Sequence, residues 1–154
     1  MIVCGIDPGI TGALCTLTGK VISFGKLYFN GNDLDSSQFK STLTGLLIAD
    51  CEHIYIERPI AFPGQSCVST ATTFRNYGRM LGLIETSGLE FTEVNPKDWT
   101  KILFAGMPKP EKPKDKKIRS LKRAWQLYPA HKDLIVTDGQ ADAALIAYYG
   151  QSQN

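Results

Sequence analysis

The amino-acid sequence predicts an α/β fold, a five-stranded mixed sheet flanked by helices. Three observations carry this. Short apolar runs near the start are separated only by tight turns, so the first strands are neighbours joined by hairpins. Helical patterns then alternate with two further strand patterns, as in sheets with crossover connections. The last helix is apolar on most sides, so it lies in the core.

Taken in order, Ile2, Val3, Cys4 and Ile6 form the first strand, which stops at Asp7 because Pro8-Gly9 continues neither strand nor helix. Residues 12–19 resume strand character. Val21–Phe24 and Lys26–Phe29 read as a third strand bent at Gly25, and Asn30-Gly31-Asn32-Asp33 as a turn. Asp35 or Ser36 caps a helix carrying Phe39, Leu43, Leu46 and Leu47. His53–Glu57 is the fourth strand, stopped by Arg58-Pro59. A long helix spans about 68–87, a fifth strand spans 90–94, and Pro96 starts a short helix to Leu103. Residues 105–115, rich in Pro and Lys, read as a mobile basic loop. Ile118, Leu121, Trp125 and Tyr128 mark the inner face of the next helix. The final helix runs from about Asp138 to Tyr149.

The 154 residues, 43% hydrophobic and 21% charged, read as one globular domain covering 1–154, without repeat or boundary. The longest apolar stretches, such as Leu46–Ala49, are too short to cross a bilayer, and residues 1–15 lack a secretory pattern. The expected location is the cytoplasm. Cys4, Cys15, Cys51 and Cys67 show no metal-binding spacing. Net charge is only +2, yet residues 101–130 gather Lys101, Lys109, Lys112, Lys114, Lys116, Lys117, Arg119, Lys122 and Arg123 against Glu111 and Asp115. Such a block is either a solvated face or the footprint of a polyanion such as DNA.

The carboxylates carry the chemistry. Asp7 stands at a strand tip, where it either starts the turn or holds a cation. Glu57 repeats that layout, with pairing to Arg58 as the plainer alternative. Asp138 is positioned either to cap the last helix or to act with Asp142, four residues on and on the same helix face. Asp142 lies among Ala141, Ala143, Ala144 and Leu145, where a lone charge is costly. Four carboxylates from two strand ends and one helix suit a pair of Mg²⁺ ions that direct water at a phosphodiester. Mn²⁺ accepts the same ligands. Neither His53 nor His131 sits beside these motifs, and Lys101 or Lys117 is placed to stabilise developing charge.

Three segments, Ile6-Asp-Pro-Gly-Ile-Thr-Gly12, Ile56-Glu-Arg-Pro59 and Asp138-Gly-Gln-Ala-Asp142-Ala-Ala-Leu, resemble RuvC-type Holliday junction resolvases. The segments 94–101 and 115–129 are similar to the phage-encoded branch of that family. The resemblance implies an RNase H-like fold, a homodimer, and Mg²⁺-dependent paired nicking of four-way DNA junctions without an organic cofactor. It carries the catalytic and metal-binding roles to Asp7, Glu57, Asp138 and Asp142. It also implies a junction-opening residue at Ile60 or Phe62 and a dimer interface involving helix 68–87. One departure stands out: many bacterial members space the last two acids by three rather than four. The alternatives are a RuvX-like nuclease acting on structured RNA, a nuclease with broader branched-DNA range, an actin-like kinase, and a non-catalytic junction binder. The chain is too short for the kinase body.

Overall fold

The structure, a computed structural model, describes residues 1–153. Strands β1 (Ile2–Ile6), β2 (Ala13–Thr18) and β3 (Val21–Lys26) form an antiparallel meander, and a short hairpin follows, β4 (Phe29–Asn30) and β5 (Asp33–Leu34). Helix α1 (Ser36–Ile48) leads to β6 (His53–Glu57), and α2 (Cys67–Glu85) to β7 (Phe91–Val94). Helices α3 (Pro96–Leu103), α4 (Pro113–Leu127) and α5 (Asp138–Gln153) complete the chain, with a 3₁₀ segment, Pro129–Leu134, before α5. The main sheet has the order β3-β2-β1-β6-β7, in which β6 runs parallel to β1 and to β7.

Both faces of the sheet are covered, which is why its central strands read as continuous apolar runs. Cys4, Ile6, Ile54 and Ile56 pack against Leu43 of α1 and Met80 and Ile84 of α2. Val3, Cys15, Leu17 and Tyr55 face the other way, toward Ala143, Ala144 and Ala147 of α5. The two-residue strand period then decides the site: position 7 follows 3 and 5, and position 57 follows 55. Asp7 and Glu57 therefore leave their strand ends on the α5 face. The parallel register, Ile6 opposite Ile56, brings the two ends side by side.

Helix α5 lies unusually close to β1. A methyl group added at Gly5 would stand 2.3 Å from the Ala143 carbonyl oxygen, and one at Gly139 would stand 2.2 Å from that of Thr11. Backbone thus rests on backbone at both contacts.

Several expectations are corrected. The third strand runs straight through Gly25 and ends at Lys26, while Phe29 enters the separate hairpin. The basic loop is shorter than 105–115, because Pro113 starts α4 and Asp115 accepts the Lys112 N–H at 3.0 Å. The inner stripe of α4 is Ser120 and Ala124 flanked by Leu121 and Trp125, whereas Ile118 is exposed. The sequence leaves the Phe74–Tyr77 segment of α2 open to facing DNA instead of a dimer interface, but its Asn76 and Tyr77 turn inward. Asn76 accepts the Leu34 N–H and donates to the Asn32 carbonyl, and Tyr77 donates to Glu93. No helix among the described residues is long and apolar enough to cross a membrane.

Candidate active site

Each acid is held by a different local device. Asp7 Oδ1 accepts the Gly9 N–H at 3.2 Å, and the Asp7 N–H donates to the Ala13 carbonyl at 3.0 Å. Asp7 thus makes the turn while keeping its second oxygen for the site. Glu57 does not pair with Arg58, which turns to Glu93 at 3.4 Å on the other side of the sheet. Instead Glu57 Oε1 accepts the indole N–H of the buried Trp99 at 2.8 Å. Asp138 is not the cap of α5. Thr137 fills that role: its Oγ1 accepts the Gln140 N–H, while Gln140 Oε1 accepts the N–H groups of Val136 and Thr137. Asp138 is left in the first turn, where Lys117 Nζ meets its Oδ2 at 2.9 Å.

Asp142 lies one turn further along α5, and its Oδ1 is buried without a hydrogen-bond partner. Burial is the main reason that Asp7, Asp142 and Glu57 hold their protons to about pH 6, 7 and 8 respectively. Their mutual repulsion adds to this: Asp7 raises Glu57 and Asp142, Asp142 raises Glu57, and Asp138 raises Asp7 and Asp142. The Trp99 hydrogen bond pulls Glu57 back toward the ionised form, and Ser120 and Arg119 do so for Asp142. The structure thus gathers the four sequence-predicted acids into one electrostatically coupled cluster.

This cluster fits hard divalent cations. An orphaned carboxylate oxygen at Asp142, among acids that raise one another's pKa, is what a cation relieves. Among the described residues no group of three His, Cys, Asp or Glu side chains is spaced to hold one ion alone. Mg²⁺ is commonly held by one or two carboxylates together with water and substrate phosphate oxygens, so the fit rests on the chemistry of the acids and not on a three-ligand site.

The predicted basic residues fall into separate groups. Lys117 joins the acid cluster through Asp138, and Arg119 lies with its guanidinium 4.1 Å from the centre of the Phe104 ring. Lys112, Lys114 and Lys116 are exposed on the first turns of α4 and its approach. Arg123 donates to Gln126, and Lys122 is exposed beside it. Lys101 and Lys109 border a cavity between α3 and α4 together with Lys97, which was not among the expected basic residues. Of the two loop candidates, Phe62 is 64% exposed and Ile60 is half-buried. Trp99 was also missed, because nothing local in its segment signals a bond to a residue 42 positions away. The Thr137-x-x-Gln140 cap, by contrast, was readable as a capping-box pattern.

No protein-family model and no curated protein matches the sequence. Solved structures do. The mixed five-stranded sheet and its flanking helices form an RNase H-like α/β fold, the fold shared with the similar solved structures. Thermus thermophilus RuvC in complex with Holliday junction substrate aligns with a TM-score of 0.68 at 14% identity, over 99% of this chain and 96% of that one. A second Thermus thermophilus RuvC structure gives 0.66 at 16% identity, covering 99% and 97%. The yeast mitochondrial Holliday junction resolvase Ydc2 gives 0.57 at 17% identity, covering 94% and 75%. The fold expected from the three acid-bearing motifs is therefore the fold observed.

Proposed function

We propose that this protein is a divalent-metal-dependent, structure-selective endonuclease that resolves four-way DNA junctions by paired symmetric nicks. The observation that carries the reading is the convergence of Asp7, Glu57, Asp138 and Asp142 on one face at the strand ends, with Asp142 Oδ1 buried and unpartnered. The fold supports it, since the similar chains include a RuvC bound to a Holliday junction and a mitochondrial junction resolvase.

In this reading Asp7, Glu57, Asp138 and Asp142 would hold two Mg²⁺ ions, with Mn²⁺ able to replace them. When bound, the ions make water nucleophilic near neutral pH and stabilise the departing 3′ oxygen. The chain's own residues do the remaining work. Trp99 fixes the orientation of Glu57 through one carboxylate oxygen and leaves the other free. The Thr137 cap anchors the α5 terminus, so Asp138 and Asp142 keep a common face. Lys117, beside Asp138, supplies positive charge where the phosphodiester gains negative charge. Basic residues of α3, α4 and their connecting loop bind the DNA backbone. Phe62 is the better-placed residue to enter the junction centre, because its ring is free in the loop after Glu57. A homodimer would present two such sites to a two-fold substrate.

The deciding experiment offers a four-way junction, a linear duplex, an RNA–DNA hybrid and structured RNA with Mg²⁺ present. Symmetric nicks confined to the junction are expected. Preferential cutting of RNA would replace this reading with the RuvX-like one.

A further inference from the structure

A cavity of about 390 Å³ opens between α3, the loop that follows it, and α4. Four cations line it: Lys97 and Lys101 from α3, Lys109 from the loop and Arg119 from α4. No carboxylate lines it. Lys97 and Lys101 are four residues apart and share a helix face. Asp98 points elsewhere and borders a different cavity with His53 and Tyr149. None of the four cations forms an ion pair among the described residues. The neighbouring cavity over α4 differs, for Glu111 and Asp115 accompany Lys109, Arg119 and Lys122 there.

Arg119 is partly offset by Asp142, but Lys97 and Lys101 meet no carboxylate in this cavity, and a bound anion removes the cost of placing these positive groups together. Arg119, although its charge is felt by Asp142, has one donor without an acceptor. Its guanidinium is stacked on Phe104, and its Nε is buried with no hydrogen-bond acceptor. The cavity is also mechanically tied to the acids. Phe104 packs on Trp99 with ring centres 5.5 Å apart, and Trp99 in turn holds Glu57.

We propose that this cavity is a phosphate-binding subsite. It seats one backbone phosphate of the strand being cut, outside the reacting phosphodiester. Arg119 offers a planar fork and the lysines offer mobile point charges, a mixture suited to a tetrahedral anion. The Arg119–Phe104–Trp99–Glu57 chain then sets a fixed offset between the seated phosphate and the catalytic acids. The anion chemistry follows from the cavity itself, and its assignment to a nucleic-acid strand rests on the proposed nuclease function.

The test uses Lys97→Ala/Lys101→Ala in an Asp142→Asn background, so that bound junction is not consumed. Both lysines are exposed, and an unchanged melting temperature verifies folding. Junction affinity is measured across KCl concentrations, with Lys20→Ala/Lys40→Ala as a distant control. Affinity about tenfold lower and a salt slope reduced by about 1 are expected for the first pair and not for the control. A scan with neutral methylphosphonates along one strand then locates the seat. In the protein with both lysines, one position outside the cut bond weakens binding, and in the double variant that penalty vanishes. Wild-type affinity and slope in the double variant, or a penalty unchanged at every position, overturns the subsite. If no junction is ever cut, the nuclease reading fails, yet the same binding experiments on linear duplex still decide the cavity.

Discussion

Replacing Trp99 with Phe isolates one hydrogen bond at the heart of the site. The ring stays in its pocket, where Trp99 is only 3% exposed, and the N–H that holds Glu57 Oε1 at 2.8 Å is lost. A hydrogen bond to a charged acceptor contributes about 1.5–3 kcal/mol. If that orientation is needed in the transition state, cleavage slows by a factor of roughly 10 to 150. The bond also opposes the upward push of burial on Glu57, which already holds its proton to about pH 8. Its removal moves Glu57 of the metal-free protein higher still, so metal must displace a more tightly held proton and more Mg²⁺ is needed near pH 7 than near pH 9. The assay is single-turnover junction cleavage across a Mg²⁺ titration at each pH in that range. Leu103→Val, on the same helix and equally buried, reports the effect of lost packing alone. Equal rates and superimposable pH profiles for the two variants would refute a positioning role for Trp99.

Other outcomes follow from the same geometry. Asp142→Asn is expected to abolish cleavage while leaving junction binding largely intact, read by gel shift and by nicking of the same labelled DNA. The metal-free protein should lose stability as pH rises from about 4 to 8. Asp7, Glu57 and Asp142 bind protons in the folded state that they have released when unfolded, so their stabilising effect is complete below pH 4 and gone above pH 8. Thermal melts in chelator should show this fall, and excess Mg²⁺ should reverse it at pH 8. Thr137→Ala removes the α5 cap and is expected to cost about 1 kcal/mol in urea unfolding, with a larger relative loss of cleavage because Asp138 sits in the frayed turn. Gly5→Ala should cost about 1–3 kcal/mol or more, since the added methyl meets the α5 backbone.

The sequence made the acids legible because strand geometry is periodic. A carboxylate ending an apolar run, followed by Pro, states both the element and its end, and Asp7 and Glu57 each do so. Asp142 was legible for the opposite reason, as a charge inside a helix with no polar face. What stayed hidden is what depends on distant segments meeting. The bond from Trp99 to Glu57 spans 42 residues, and the switch of Arg58 to Glu93 depends on β7 lying beside β6. Lys97 was overlooked because it lies outside the densest charge run, although α3 places it beside Lys101. The end of the third strand was misjudged because Gly25 looked like a bend. In fact it pairs with Leu14 within the ladder, where a side chain would crowd that leucine.

The contact of α5 with β1 specifies a distance by leaving atoms out. At Gly5 the α5 main chain lies against the strand that ends in Asp7, with the Ala147 methyl as the one side chain beside it, and at Gly139 the helix that carries Asp138 and Asp142 lies against the Thr11–Gly12 turn, so hardly any side-chain size enters the spacing. A ruler made of backbone does not wear: residues elsewhere in the core can be exchanged and repacked without lengthening it. Chains only 14–17% identical to this one keep the same overall form. A methyl group added at either glycine would therefore part the elements that bring the carboxylates together.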